Sequence, residues 1–496
     1  MSLTKVSYSM INGAPVNVVD YGAVSDGVTD CTMQIQAAID ASNGGVIDGN
    51  NLLYIVTTLN IPSGTVLQNF KFKTKAGSTD FVSPITVGAY NDSSTRENIR
   101  FFNVHIDGNR QNQTAVGDSG GGEDGGRCGF RLIGHITNLV IENCSATYCA
   151  TDGIEFFSGV NTGSTWPRFL NITVKNSQFN WNRRHGGSGE SMKYAEFENC
   201  EFNNNGQDLN TSSPLNDGNR GARQAGSLYG NGFDNETYGV GYQSEDVAWT
   251  NITAIQNASS GMLYFDNSSA SAVGFLPNLR IKFALCNFDY GTVPTQSLYF
   301  ALQLTPPQAN AALGVYFSQV SIISCRLSGT LLLRSTSATS IEGGVIITPT
   351  GSYCGLMDYA TNILIGDAII LNGYLFEQNN SSLTYPFRPT DPTRVCQGLQ
   401  ATIASGASQN TGISSSGTSQ AVLRVFNSGG SFPTGGAFVV DIYFDGGAGA
   451  FVNSVVNGTQ VGTTGAAKLE IIDNGTNWVL KNNDVSAMTI SYYTFT

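Results

Sequence analysis

A small residue returns at one position of a short alternating segment along the middle of this chain. Cys144 stands in VIENCSA, Cys200 in FENCEF, Cys286 in FALCNF and Cys325 in IISCRL. Ser177 in VKNSQF and Ala258 in IQNAS are assigned to the same register. Each segment alternates apolar and polar residues and then meets a turn, which is a strand signal. Recurrence of such a unit every few tens of residues, with occasional insertions, reads as a solenoid. Stacked coils would file the small residues into one interior column, where a bulky side chain would collide with its neighbours. A β-sandwich with coincidental cysteine spacing is the competing reading, and the recurrence favours the coil.

Composition agrees with that architecture. Of 496 residues only 12% are charged, 41% are hydrophobic and 58 are glycine, so uncharged polar groups must cover the surface. Many short strands and turns fit this mixture, and long solvated helices do not. The net charge of -12 argues against nucleic acid as a partner, because phosphate binding needs a basic face. No apolar stretch approaches the roughly 20 residues that a spanning helix needs, so no membrane insertion is expected. The first thirty residues lack a basic start, apolar run and small-residue cleavage site, so synthesis in a cytoplasm without a signal peptide is expected. Nine cysteines without a CxxC pair, and only three histidines, point to reduced buried thiols rather than zinc.

Ahead of the coils lies VNVVDYGAVSDGVTDCTMQIQAAIDAS. Ile35, Ala38 and Ile39 recur at helical spacing, with Thr29 or Asp30 placed to cap. A short amphipathic helix here would cover the apolar side chains at the open end of a solenoid. The segment DYGAVSDGVTDCTMQIQAAIDA resembles the opening motif of the pectate-lyase-like right-handed β-helix superfamily. With MINGAPVNVVDYGA ahead of it, the chain is most similar to bacteriophage tailspikes and polysaccharide depolymerases within that superfamily. The resemblance implies a homotrimer, carried on a virion through a phage tail, baseplate or adaptor protein. It also implies a bacterial capsular polysaccharide or lipopolysaccharide O-antigen as target.

The expected organisation is a leader (1–12), a cap with the first coils (13–80) and a right-handed parallel β-helix with inserted loops (81–383). A Pro-rich linker, 384–397, should break the coil. Beyond it, 398–496 turns Gly/Ser/Thr-rich with short alternating segments and reads as a C-terminal β-sandwich for trimerisation or glycan binding.

Three acidic patches, TDGIEFF (151–157), HGGSGES (185–191) and NGFDNET (231–237), align on Gly153, Gly186 and Gly232, with Gly261 of SGMLYFD as a fourth. Residues one and three positions after each glycine are mostly apolar or small and should face the core. Strand alternation then turns the second and fourth outward. Glu155, Ser188, Asp234 and Leu263 form one outer column, and Phe157, Glu190, Glu236 and Phe265 the next. Strand spacing places Glu190 and Glu236 about 5 Å apart, Asp234 and Glu236 roughly 7 Å, and the diagonals nearer 8 Å. Glycosidases use carboxyl pairs about 5–5.5 Å apart for retention or 6.5–9.5 Å for inversion. Asp234 and Glu236 are the core of this candidate site, Glu190 their partner, Glu155 next and Asp152 an outlier. Trp181, Arg184, His185, Tyr229 and Tyr238 are candidates for substrate binding.

TDG at 151–153 and RIK at 280–282 resemble fragments of the pectin-hydrolase signature. The paired Asp is missing, however, and His185 follows an arginine rather than a glycine, which argues against that arrangement. The resulting reading is a tailspike that depolymerises a surface glycan by endo-glycosidic hydrolysis, needing no cofactor and no metal. A lyase using the basic residues at 183–185, and a non-catalytic receptor-binding adhesin, are the alternatives.

Overall fold

The computed structural model describes residues 14–347 apart from 79–81, 91, 114–126, 159–168, 207–229, 238–242, 267–275, 290–299, 307–309, 311 and 313. Beyond 347 it describes residues 355–365 and strand segments between 369 and 495. The chain divides into two units, Met1–Ser337 and Ala338–Thr496.

The first unit is a parallel β-helix. Its one α-helix, Thr32–Ser42, buries Ile35, Ala38 and Ile39. The Asp30 carboxylate accepts from the Thr32 amide at 3.0 Å and so serves the first turn, although Cys31 occupies the cap position. From there the described strands of this unit pair in parallel. The longest sheet carries Val46–Val56, Val66–Thr74, Thr95–Asp107, His135–Glu142, Phe169–Lys175, Met192–Glu198, Glu245–Thr250 and Asn278–Ala284 in succession. A second sheet stacks Phe130–Ile133, Ile154–Phe157, Gly187–Gly189, Phe233–Thr237, Met262–Asp266 and Phe300–Thr305. Short strands such as Ser145–Thr147 and Asn287–Asp289 form the third side.

The interior is aromatic as well as aliphatic. Phe197 stacks on Trp249 with centroids 3.9 Å apart, and Trp249 donates its indole N–H to the buried Tyr264 hydroxyl at 2.8 Å. The small-residue column is real, with one correction. Bridges run Ser145–Gln178–Glu201–Thr253 and continue from Thr253 to Asn287 and Arg326. Cys144, Ser177, Cys200, Cys286 and Cys325 therefore share a column whose member in the intervening coil is Ile252, not Ala258. Ala258 lies in a later turn of that coil, where its amide donates to Asn205 O at 2.8 Å. The seven described cysteines are free thiols, all buried.

Two devices hold the turns that lead into the second sheet. A Cβ at Gly153, Gly186 or Gly232 would lie 2.6, 2.6 or 2.4 Å from the carbonyl of the next glycine, so only glycine fits the column. Just before it runs a buried amide ladder: Cys149 N donates to Asn182 Oδ1 (3.0 Å), Asn182 N to Asn205 Oδ1 (2.9 Å) and Asn205 N to Asn257 Oδ1 (2.9 Å). Each amide side chain satisfies a backbone N–H that the turn would otherwise strand in the core. The DGN turn works similarly, with Asp107 accepting from Asn109 N at 2.8 Å.

In the second unit the coil pairing gives way to antiparallel strands. Leu383–Pro386 pairs in parallel with Thr361–Ile365, and its last two residues pair antiparallel with Val395–Ile403. Antiparallel pairing then dominates two sheets: Val395–Ile403, Met488–Phe495, Ala421–Gly429, Val439–Asp445 and Gly449–Val452 in one, and Ser408–Ser414, Asn477–Asn482 and Leu469–Asp473, with Val461–Gly462 in parallel, in the other. Two such sheets are what a β-sandwich requires. The leader and most of the Pro-rich linker lie outside the described residues.

The ladder makes a stability prediction. Asn205→Ala strands the buried Asn182 amide and should destabilise the fold by about 1–3 kcal/mol, the penalty for an unpaired buried donor. Urea unfolding would register this as a lowered midpoint, and an unchanged midpoint would remove the ladder from the account.

Candidate active site

The glycine alignment holds in the structure. Ile154, Gly187, Phe233 and Met262 pair in register, and Glu155, Ser188, Asp234 and Leu263 follow them in file. The preceding coil adds Arg131 beside Glu155. The face differs from a solvated one. Glu155, Glu190 and Asp234 are only 7%, 9% and 2% exposed, and Glu236 is half-buried. Alternation along a strand assigns side chains to the face opposite the core, but it carries no information on what covers that face.

Asp152, in the turn before the glycine, is the hub. It is fully buried and takes a two-pronged contact from Arg184, Nε to Oδ1 at 2.8 Å and Nη2 to Oδ2 at 2.5 Å. The His185 amide donates to Oδ1 at 3.0 Å and the Ser188 hydroxyl to Oδ2 at 2.6 Å. Burial alone would raise this carboxyl, but the guanidinium and its hydrogen bonds outweigh it and hold Asp152 at about 2. Glu155 is similarly committed, accepting from Arg131 Nε at 3.0 Å and from the Cys128 thiol at 3.4 Å. Arg184 and His185, expected to bind substrate, are instead buried and engaged with carboxylates.

His185 fixes a proton position. The Asn231 amide donates to its Nδ1 at 3.1 Å. A backbone N–H only donates, so Nδ1 keeps its lone pair and the ring hydrogen sits on Nε2. Nε2 lies 3.3 Å from Asp234 Oδ2, which also accepts from Asn231 Nδ2 at 3.0 Å. The Asn231 orientation follows from Ser260, whose amide and hydroxyl both donate to its Oδ1 (3.1 and 2.7 Å). Asp234 Oδ2 thus accepts from the Asn231 amide and lies beside the His185 ring, while the buried Oδ1 has no hydrogen-bond partner among the described residues. Burial, then the charge of Glu236, drives the Asp234 carboxyl well above its ordinary range.

Glu190 shares the asymmetry. It accepts from the Ser158 amide at 3.0 Å, yet burial, reinforced by Glu155 and Glu236, pushes it up to about 7. One buried acid is held low, another is driven well above its ordinary range, and a third is raised to about 7.

Trp181 is half-buried at a turn beside this face, and Tyr229 and Tyr238 lie outside the described residues. Asp152, Ser188, Arg131 and Asn231 were undervalued or missed from the sequence. The one available signal was that Asp152, like His185 and Asn231, directly precedes a column glycine. Cys128, Asp152 and Glu155 bring potential metal-ligand atoms within 4.8 Å of one another. Two guanidiniums already neutralise those carboxylates, and burial raises the Cys128 thiol well above its usual range, so the set is poorly suited to a cation. RIK lies in an ordinary rung strand, where Arg280 pairs with Asp246 and Glu245.

No known protein family and no curated protein sequence matches the chain. Among solved structures, it is similar to the A-module of mannuronan C-5 epimerase AlgE4 from Azotobacter vinelandii, at 18% identity and a TM-score of 0.45, covering 74% of this chain and 99% of that one. It is similar to a family 28 exopolygalacturonase from Yersinia enterocolitica at 11% identity and 0.39, covering 76% and 79%. A third is the tailspike gp49 of Acinetobacter baumannii bacteriophage Fri1, a capsular polysaccharide depolymerase, at 10% identity and 0.28, covering 98% and 86%. At such values the functional reading must rest on this chain's own residues.

The Glu190 shift predicts a pH signature. Below about 4.5 its carboxyl is neutral in both folded and unfolded chains. Between there and about 7 the unfolded chain releases the proton first, so folded-state stability is lost as pH rises. Glu190→Gln lacks this loss and should gain on the parent by up to about 3 kcal/mol between pH 4 and 8. Parallel unfolding curves at the two pH values would refute the shift.

Proposed function

We propose that this chain is a phage tailspike hydrolase that cuts glycosidic bonds within a bacterial capsular polysaccharide or lipopolysaccharide O-antigen. The observation that carries the catalytic reading is Asp234, a carboxyl raised well above its ordinary range by burial and by the charge of Glu236 in the same strand. A carboxyl raised in this way beside a second acid is suited to protonate a leaving-group oxygen. Glu236, the half-buried acid in the same strand, is the partner that activates water. Side chains two positions apart on a strand stand roughly 7 Å apart, which suits inversion of the anomeric centre. Glu190, titrating near neutrality beside them, tunes the pair.

The assignment to a phage virion, the homotrimer and the attachment to a tail, baseplate or adaptor are proposals that rest on the opening motif. The lyase alternative would need a basic group to abstract a proton. Arg184, Arg131 and His185 are each already engaged with a carboxylate, which weighs against it.

Purified protein spotted on a panel of encapsulated and O-antigen-bearing bacteria should clear at least one strain. The released polysaccharide should gain reducing ends without the ultraviolet absorbance of an unsaturated uronate. Asp234→Asn and Glu236→Gln should each lower kcat by about 10²–10⁴, the usual worth of a general acid or base, while leaving binding intact. Unsaturated products would establish a lyase, and binding without cleavage would establish an adhesin.

A further inference from the structure

Two adjacent coils carry an aromatic residue where the next two carry an amide. The buried amide ladder aligns Cys149, Asn182, Asn205 and Asn257, so the residues before them, Tyr148, Trp181, Asn204 and Gln256, share one turn position. All four are left-handed, with φ of 54°, 61°, 59° and 57°. That conformation costs an L-residue roughly 1–2 kcal/mol, and asparagine tolerates it best. Bulky aromatics in such a position call for a reason beyond local geometry.

Core filling is not that reason. Tyr148 is 36% exposed and Trp181 half-buried, while Phe130, Phe156 and Phe179 fill the interior nearby. Tyr194 is also left-handed and exposed, but it belongs to the longest sheet, with Lys193 over its ring. Tyr148 and Trp181 differ in being neighbours and in being held by one residue. Buried Arg110 donates its amide to Tyr148 O at 2.9 Å and its guanidinium to Trp181 O at 3.1 Å.

Their position relative to the acids supplies the rest. From Tyr148 the chain passes directly to Asp152 and Glu155, and from Trp181 directly to His185 and Ser188. The aromatic pair therefore stands a few residues ahead of the acid-bearing turns of its own two coils. Adjacent strands lie roughly 4.8 Å apart, so the two side chains present a surface about one sugar ring wide.

We infer that Tyr148 and Trp181 form a sugar-stacking subsite that receives the apolar face of a pyranose residue of the polysaccharide strand on its way to the acid face. The inference rests on the polysaccharide reading above, but not on cleavage. Rigid aromatics offer large apolar contact with little lost side-chain freedom, and a polymer gripped there is aligned for the acids beyond.

Electrophoresis through gels cast with each of a panel of purified capsular polysaccharides and lipopolysaccharides tests it. The double variant Tyr148→Asn/Trp181→Asn places the residue of the neighbouring coil at both sites, and so suits the left-handed backbone. Retardation of the parent and of Asp234→Asn by one glycan, with about tenfold or weaker affinity in the double variant at an unchanged unfolding midpoint, is the expected result. Tyr148→Phe/Trp181→Phe should restore binding. Equal retardation of the parent and the Asn double variant would overturn the subsite even if the polymer is cut. A parent that is retarded but never cuts would overturn hydrolysis and leave the subsite standing. Absence of retardation by every glycan would overturn the subsite as a glycan site.

Discussion

Backbone contact between successive coils is the constraint on which this structure depends. At the Gly153–Gly186–Gly232–Gly261 column the chains approach so closely that a single methyl group would strike the next coil's carbonyl. Close approach shuts water out of the turn, and the Asn182–Asn205–Asn257 ladder supplies the hydrogen bonds that water would have made. The two devices require each other. A dry turn needs its amides satisfied internally, and an in-line ladder needs coils held at one spacing.

Once register is fixed, side chains of successive coils stand in file, and chemistry concentrates. Arg131, Glu155, Ser188 and Asp234 come from segments scattered over a hundred residues of sequence and end as neighbours. Crowded, buried carboxylates cannot all ionise. The arrangement resolves the conflict unequally: Asp152 has Arg184, Glu155 has Arg131, and Asp234 has only an imidazole N–H and an amide. Unequal pairing separates acids that are alike in solution, which is the property acid–base chemistry needs.

The periodic part of this was legible. Alternation marked Glu155 and Asp234 as lying opposite the core, and the glycine alignment gave the file that Glu155, Ser188 and Asp234 share. Helical spacing likewise anticipated the burial of Ile35, Ala38 and Ile39. Legibility failed where periodicity has no say. Ala258 was set in the cysteine column because a long insertion erased the local phase, and Ile252 carries no distinguishing mark. Asp152 stood aside as an outlier because it sits in a turn, where alternation assigns no direction. Arg184 and His185 looked like groove residues because charge suggests exposure, whereas their partners bury them.

By itself the sequence determined a solenoid with a column of glycines through four coils and acids on the strand face opposite the core. These follow from local rules, in which a strand alternates and a tight contact admits only glycine. Tertiary structure alone decided which carboxyls are lowered and which are raised. Those outcomes depend on burial and on the identity of partners one coil away, and both arise only when distant segments stack.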